Sequence, residues 1–408
     1  MKPFNLSLSP RAMRRVAIGL CVAVLGLLTF GIIMLCSTSS FYANERYGSP
    51  YVVFWRQAMW LGIGLIACIV AACLDYRLYR KYVWWILGAA AVLLVAVLFF
   101  GTIRNGAKRW LVFGPVSFQP SEFAKLALVI FLAFWLEKMH RKARGKLHAQ
   151  IRHPFWGFAL PLGVAGVLAA LIFIQPDVGT VVLLLALTTI LLWVAGSNPY
   201  CLAGLVWLGT IGGVALMTAI IKFGFLAEKY QAKRIVAWWT GDDPMGINWQ
   251  QLMALLAFGS GGPWGVGLGE SCQKMLYLPE AHTDFILPII GEELGVFGPL
   301  AVVIAFAALV VCGMLLTTKA PDLFGMLLGT GIVASIALQA MINIAVVTNS
   351  IPNKGMPLPF ISYGGSNLLM LLASVGILLS IARQGHAQIT GQFLDPSKEK
   401  QPAVALPA

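Results

Sequence analysis

Four carboxylates and a histidine crowd one stretch of this chain, PEAHTDFILPIIGEELG over residues 279–295, which holds Glu280, His282, Asp284, Glu292 and Glu293. An acid that opens an apolar run loses part of its hydration; its pKa rises, and it becomes suited to accept a proton. Asp284 holds that position. Glu280 precedes it by four residues, so a helical segment would put both carboxylates on one face. Glu292 and Glu293 fall about two turns deeper, and at least one must face the interior of a bundle. His282 with these acids could ligate a metal, although the spacing matches no zinc pattern.

Cations supply the complementary chemistry. The loop GTIRNGAKRWLVFGPVSFQPSEFAKLAL, residues 101–128, carries Arg104, Lys108 and Arg109, and its glycines and prolines predict a folded-back segment at a membrane surface. Ser121 is positioned to cap the helix that follows. On that helix Glu122 and Lys125 lie three residues apart, either neutralising each other or meeting a substrate. Lys222, Lys229, Lys233 and Arg234 fall in a later connection, and Lys354 is the sole cation of NSIPNKGMPLPFISYGGSN, residues 349–367. Solvated loop charges would account for these cations; an anion site would account for them as well. Asp177 in QPDVGT is read first as a helix cap. The glycine-rich GSGGPWGVGLG, residues 259–269, could offer backbone N–H groups to a phosphate, but without a preceding strand or an internal lysine it is no nucleotide loop.

The elements that must hold these groups are membrane helices. Of 408 residues 59% are hydrophobic and only 11% are charged, against about 25% charged in soluble domains. Apolar runs near 16–37, 55–74, 83–101, 119–138, 154–174, 178–196, 200–222, 284–316, 323–347 and 366–382 are each about long enough to cross a hydrocarbon core. The expected fold is an all-α polytopic membrane protein of about ten transmembrane helices. Its divisions are a cytoplasmic segment 1–15, a membrane domain 16–382 with a large extracytoplasmic loop 223–283 between spans seven and eight, and a disordered cytoplasmic tail 383–408.

The net charge of +13 does not call for nucleic acid, because its distribution follows the rule that keeps Lys and Arg on the cytoplasmic side. Arg77, Arg80, Lys81, Lys138, Arg141, Lys142, Arg144, Lys146, Arg152, Lys319 and Arg383 fall in connections predicted to be inside, which puts both termini in the cytoplasm. Trp238, Trp239 and Trp249 suit a helix lying at the interface. The cysteines sit mostly in or beside apolar runs, and no disulfide framework is expected.

The strings KRWLVFGPVSFQPSEFAKL, QPDVGT, GSGGPWGVGLG, LPEAHTDFILPIIGEELG and NKGMPLPFISYGGS resemble, in order, the signature segments of the SEDS family (shape, elongation, division and sporulation) of bacterial wall proteins. The resemblance implies the SEDS fold and a peptidoglycan glycosyltransferase that polymerises lipid II on the outer face of the cytoplasmic membrane. It implies Asp284 as the catalytic residue and Arg109, Glu122, Lys125 and Lys354 around an outward cavity. Glu280 and His282 join them as candidate substrate-binding residues. PEAHTDF with IIGEELG is more like the division branch, FtsW, than the elongation branch, RodA, and so implies a place at the division septum. A lipid II flippase and a RodA-type elongation polymerase are the alternative readings. Expected partners are lipid II, the undecaprenyl-diphosphate-linked glycan strand, a class B penicillin-binding protein that supplies cross-linking, and other division proteins. A divalent cation, Mg or Mn, is a candidate cofactor.

Overall fold

The computed structural model describes residues 9–104, 107–114, 116–142, 150–223, 230–241, 246 and 248–390. Expectations resting on Lys2, the side chains of Arg104 and Lys142, Arg144, Lys146, Lys229 and the tail beyond Thr390 lie outside the described residues.

Among those residues the chain forms fourteen α-helices and three short strands. The helices are α1 (Pro10–Tyr47), α2 (Val52–Cys73), α3 (Arg77–Lys81), α4 (Val83–Phe100), α5 (Pro120–Lys142), α6 (Leu160–Ile174), α7 (Val178–Val194), α8 (Pro199–Phe223), α9 (Tyr230–Thr240), α10 (Trp249–Gly261), α11 (Ile286–Leu294), α12 (Phe297–Thr317), α13 (Leu323–Val347) and α14 (Gly365–Ile389). A wide π turn, Pro154–Ala159, leads into α6. With that turn counted, eight described helices are long and apolar enough to cross a membrane: α1, α2, α4, α6, α8, α12, α13 and α14. Helix α7 is an apolar helix of 17 residues, and α5 is a 23-residue helix whose charges lower its hydropathy. Each of these ten falls within or overlaps one of the ten runs read from the sequence, the eighth of which also holds α11.

Local chemistry sets several helix ends. Ser9 Oγ accepts from Ala12 N at 3.2 Å to open α1, which closes at Gly48 with φ +70°. Asp177 caps α7 through Thr180 N at 3.2 Å and Thr180 Oγ1 at 2.9 Å, as expected. Asp322 caps α13 through Gly325 N at 2.7 Å. Helices α13 and α14 carry the most buried apolar windows, while α8 stands at the periphery, almost wholly exposed. Trp85, Phe100 and Leu208 are large exposed apolar side chains, the kind a lipid-facing surface requires.

The structure corrects the sequence reading in five places. Helix α1 runs ten residues past 37, to Tyr47. The last helix continues to Ile389, so the boundary drawn at 382/383 falls inside α14 and residues 383–389 are helical. The loop 101–119 forms a small antiparallel sheet, β1 (Thr102–Arg104), β2 (Ala107–Phe113) and β3 (Val116–Phe118), in the order β1-β2-β3. Lys108 stands opposite Ile103 and Leu111 opposite Phe118; RWLVF is rich in strand formers, and period-two alternation buries Leu111 while exposing Val112. Ser121 does not cap α5: it lies within the first turn, and its buried Oγ has no hydrogen-bond partner among the described residues.

The fifth correction concerns the eighth run, 284–316, which is not one helix. It breaks at Gly295, φ +65°, into α11 and α12. The glycine-rich loop fills the break. Val266 N and Gly267 N donate to the carbonyls of Glu292 and Glu293 at 3.0 Å each, and Gly265 N donates to Gly261 O at 2.7 Å. These N–H groups serve the chain's own carbonyls, so the phosphate-cradle reading of this loop fails. A Cβ on Gly265, φ +81°, would stand 2.2 Å from Glu293 O.

Side chains lock the same joint. Glu292 accepts from Ser271 Oγ, from Cys272 N at 3.2 Å and from Gln273 N at 3.4 Å. Glu293 pairs with Lys274 Nζ at 2.9 Å and accepts from Ser37 Oγ at 2.6 Å. Both acids are buried as structural ties. Gly265→Ala should therefore cost at least about 2 kcal/mol through left-handed backbone strain and a carbonyl clash. Thermal unfolding in detergent checks this against Gly259→Ala in α10, where nothing lies within 4 Å and stability should change little.

Candidate active site

Asp284 lies in the turn segment just before α11 and outside the spanning helices. The segment is not a helix. Glu280 has φ +57°, and its carbonyl accepts from Thr283 N at 3.1 Å and Phe285 N at 3.3 Å, so the chain coils tightly about that oxygen. A turn, not a shared helical face as expected, keeps Glu280 and Asp284 in electrostatic contact. Glu280 Oε2 accepts from Thr283 Oγ1 at 2.8 Å.

Two neighbours fix Asp284. Asn343 Nδ2 on α13 donates to the Asp284 carbonyl at 2.8 Å and to Met356 O at 2.7 Å, joining the turn to the loop between α13 and α14. Gly355 lies directly over the carboxyl: a Cβ there would sit 2.6 Å from Asp284 Oδ2. Among the described residues no donor binds that carboxylate. Burial pushes its pKa up to about 7; Glu280 adds to the rise by like-charge repulsion, Arg234 and Arg109 oppose it, and Asp177 raises it slightly. At neutral pH such a group exchanges a proton readily.

The two guanidinium groups come from distant elements. Arg109 on β2 is anchored through Nε to Gln175 O at 3.0 Å and through Nη2 to Pro176 O, the turn that opens α7. Arg234 on α9 donates from Nη1 to Asn353 O at 3.2 Å. Around it, Trp238 Nε1 reaches Asn349 O at 3.0 Å, Gln251 Nε2 reaches Val346 O and Ile351 O at 3.0 and 2.9 Å, and Asn353 Nδ2 reaches Gln250 Oε1 at 2.6 Å. Helices α9 and α10 are thereby fastened to the loop that covers Asp284. Lys354 in that loop packs beside the start of α7, where Gly179's Cβ would meet Lys354 Cβ at 3.7 Å, and burial pushes its pKa down.

Other candidates lie apart from the carboxyl. His282 is buried, its ring stacked on Tyr42 with centroids 4.5 Å apart, and burial lowers its pKa while Glu280 pulls it up and Arg46 down. Glu122 and Lys125 form a closed, buried pair at 2.8 Å, and Lys125 Nζ also donates to Gln339 Oε1 at 2.9 Å. That is the mutual neutralisation allowed for in the sequence reading. The pair borders a cavity of about 30 Å³ lined by Leu126, Ile336 and Ser374, room for a single water. Of the three interface tryptophans expected, Trp238 and Trp249 anchor through Nε1 to protein carbonyls, and Trp239 is exposed.

Three contributors went unread in the sequence. Gln339 and Asn343 are amides four residues apart in an apolar run, a spacing that puts both on one helix face and that marked them in principle. Lys274 carried no such signal, because its partner Glu293 is reached only through the loop. Arg234 counted merely as one outward cation among several.

A family model described as "Cell cycle protein", covering FtsW, RodA and SpoVE, matches residues 19–387. The chain is 36% identical over 383 residues to a "Probable peptidoglycan glycosyltransferase FtsW" of Geobacter metallireducens, covering 93% of this chain and 97% of that protein. It is 38% identical over 369 residues to "Stage V sporulation protein E" of Bacillus subtilis, covering 89% and 96%. Among solved structures, a chain from "Structural coordination of polymerization and crosslinking by a peptidoglycan synthase complex" superposes with a TM-score of 0.70 at 26% identity, over 90% of this chain and 98% of that one. Thermus thermophilus rod shape determining protein RodA superposes with a TM-score of 0.64 at 27% identity, over 90% and 96%. With eight described helices long and apolar enough to cross a membrane, a matching fold and a family match over most of its length, this integral membrane protein belongs to the FtsW, RodA and SpoVE family of cell cycle proteins.

Proposed function

We propose that this protein is a peptidoglycan glycosyltransferase that polymerises lipid II on the outer face of the cytoplasmic membrane during septal wall synthesis. The observation that carries the reading is the Asp284 carboxyl under the Gly355 loop, where burial pushes its pKa up to about 7, Glu280 adds to the rise and Arg109 and Arg234 oppose it. Asp284 removes the proton from the 4-hydroxyl of the acceptor's N-acetylglucosamine as that oxygen bonds to the anomeric carbon of the lipid-linked strand. The bond from that carbon to the diphosphate breaks, and its electron pair leaves with undecaprenyl diphosphate. Arg109 and Arg234 hold the departing negative charge. Lys354 would add to that field from the covering loop, and Glu280 keeps Asp284 basic enough to act. His282, and the Glu122–Lys125 pair tied to α13, support the site from behind rather than touching substrate.

A divalent cation would find two carboxylates here, Asp284 and Glu280, and would need diphosphate oxygens to complete its shell, a sparse protein contribution of the sort Mg²⁺ accepts. Among the described residues no cluster of three or more His, Cys, Asp or Glu forms a metal cage. The chemistry such an ion would supply is charge neutralisation on the diphosphate; the proton step belongs to Asp284. The relative described by "polymerization and crosslinking by a peptidoglycan synthase complex" supports a class B penicillin-binding protein as partner. The loop cations support an orientation with both termini in the cytoplasm.

Purified protein incubated with fluorescent lipid II in detergent, where no second compartment exists for a flippase to fill, should build glycan ladders. Asp284→Asn should lose them by a factor of about 100 or more, the scale of a lost general base; full-length ladders from a folded Asp284→Asn preparation would sink the assignment.

Two pH effects follow from the raised pKa. Polymerisation by the wild type should climb with pH and reach half its plateau near 7, since the deprotonated form is the active one. Stability should run the other way. A carboxyl whose folded pKa exceeds its unfolded value, about 3.9, favours the fold below that value and ceases to as pH rises through about 7. Asp284→Asn should therefore melt above the wild type at pH 8, with the gap narrowing as pH falls toward 5.

A further inference from the structure

At the end of the bundle opposite Asp284's loops, α1 and α14 part to form a cavity of about 290 Å³. Its polar lining is Arg14, Arg383 and His386, and its apolar wall includes Met13, Ala17 and Leu379. The volume is close to the lower end, about 300 Å³, of clefts that hold small ligands. None of its lining residues is acidic. The described carboxylates at this end already have partners: Asp75 Oδ1 accepts from Arg77 N at 2.9 Å, Asp322 pairs with Arg77 at 3.4 Å, and Glu137 pairs with Arg80 at 3.3 Å and Arg141 at 2.8 Å. Arg383 is braced at the cavity wall, its Nη2 donating to Cys73 O at 2.8 Å. The helices meet closely just beside the cavity, where a Cβ on Gly385 would stand 2.8 Å from Met13 Cε.

We propose that this cavity binds the phosphate headgroup of an anionic phospholipid from the cytoplasmic leaflet, its glycerol and first acyl carbons lying against the wall of Met13, Ala17 and Leu379. Positive charge that meets no counter-ion among the described residues suits an anion, and the apolar wall suits a chain attached to it. A free phosphate would use the first feature and leave the second in water. The site lies between two spanning helices at the end whose loop cations mark the cytoplasmic side, where basic groups attract anionic headgroups. It rests on that orientation and not on the glycosyl-transfer chemistry.

The test is native mass spectrometry of the full chain in neutral detergent with phosphatidylglycerol, phosphatidylcholine or inorganic phosphate added. Wild type should hold phosphatidylglycerol at least about tenfold more tightly than phosphatidylcholine, and millimolar phosphate should fail to displace it. The double variant Arg14→Gln/Arg383→Gln should lose at least about tenfold, in line with the contribution of surface cations to anionic-lipid binding. Arg14→Gln alone, which leaves the Arg383 brace intact, should lose severalfold with an unchanged melting temperature. Arg15→Gln, outside the cavity, should bind as wild type does. Equal retention of the two lipids, wild-type affinity in Arg14→Gln, or displacement of the lipid by inorganic phosphate would each overturn the proposal.

Discussion

A carboxyl group held short of hydrogen-bond donors is the condition on which the rest of this structure depends. Asp284 is half-buried and receives no donor from the described residues, and its own backbone, not its side chain, is what Asn343 grips. A carboxylate that found two or three N–H groups would ionise fully and become a poor base. Gly355 keeps the site in this state. Its missing side chain lets loop backbone come against Oδ2 without offering a rigid donor, and any larger residue would push the covering loop away.

The other buried acids show what the same side chain does when it is satisfied. Glu292 gathers donors from Ser271, Cys272 and Gln273, Glu293 takes a lysine and a serine, and Glu122 takes a lysine. Leaving one of these without its partner would cost about 3–5 kcal/mol, so each pins two elements together. The Glu292 and Glu293 ties hold the glycine-rich loop in the break between α11 and α12, and Asp284 lies in the turn that leads into α11. These acids are tied to named partners, whereas the Asp284 carboxyl receives no donor from the described residues.

The guanidinium groups reach the same neighbourhood from a strand and from an amphipathic helix, neither of which belongs to a membrane span. Arg109 is aimed by the turn ahead of α7, and Arg234 by the loop ahead of α14. The long apolar helices therefore build the frame, while the connections carry the candidate site residues, the usual division of labour between scaffold and loops.

Much was legible in the chain alone. Apolar runs of membrane length count the spans, since backbone crossing lipid must bond within its own helix; Asp177 as a cap followed from its place beside a glycine; and Asp284 stood out as an acid at the start of an apolar run. Helix ends were less legible: α1 and α14 outrun their apolar cores because polar residues continue a helix in water as readily as they end it. What only the tertiary structure decided is who meets whom. Glu122 and Lys125 closed on each other and Gln339; His282 turned to Tyr42; Lys274 found Glu293 across a loop; and the glycines approached protein carbonyls instead of a ligand. Hydrophobicity is a property of each segment and can be summed along a sequence, whereas pairing between buried polar groups depends on distances that exist only after the segments have packed.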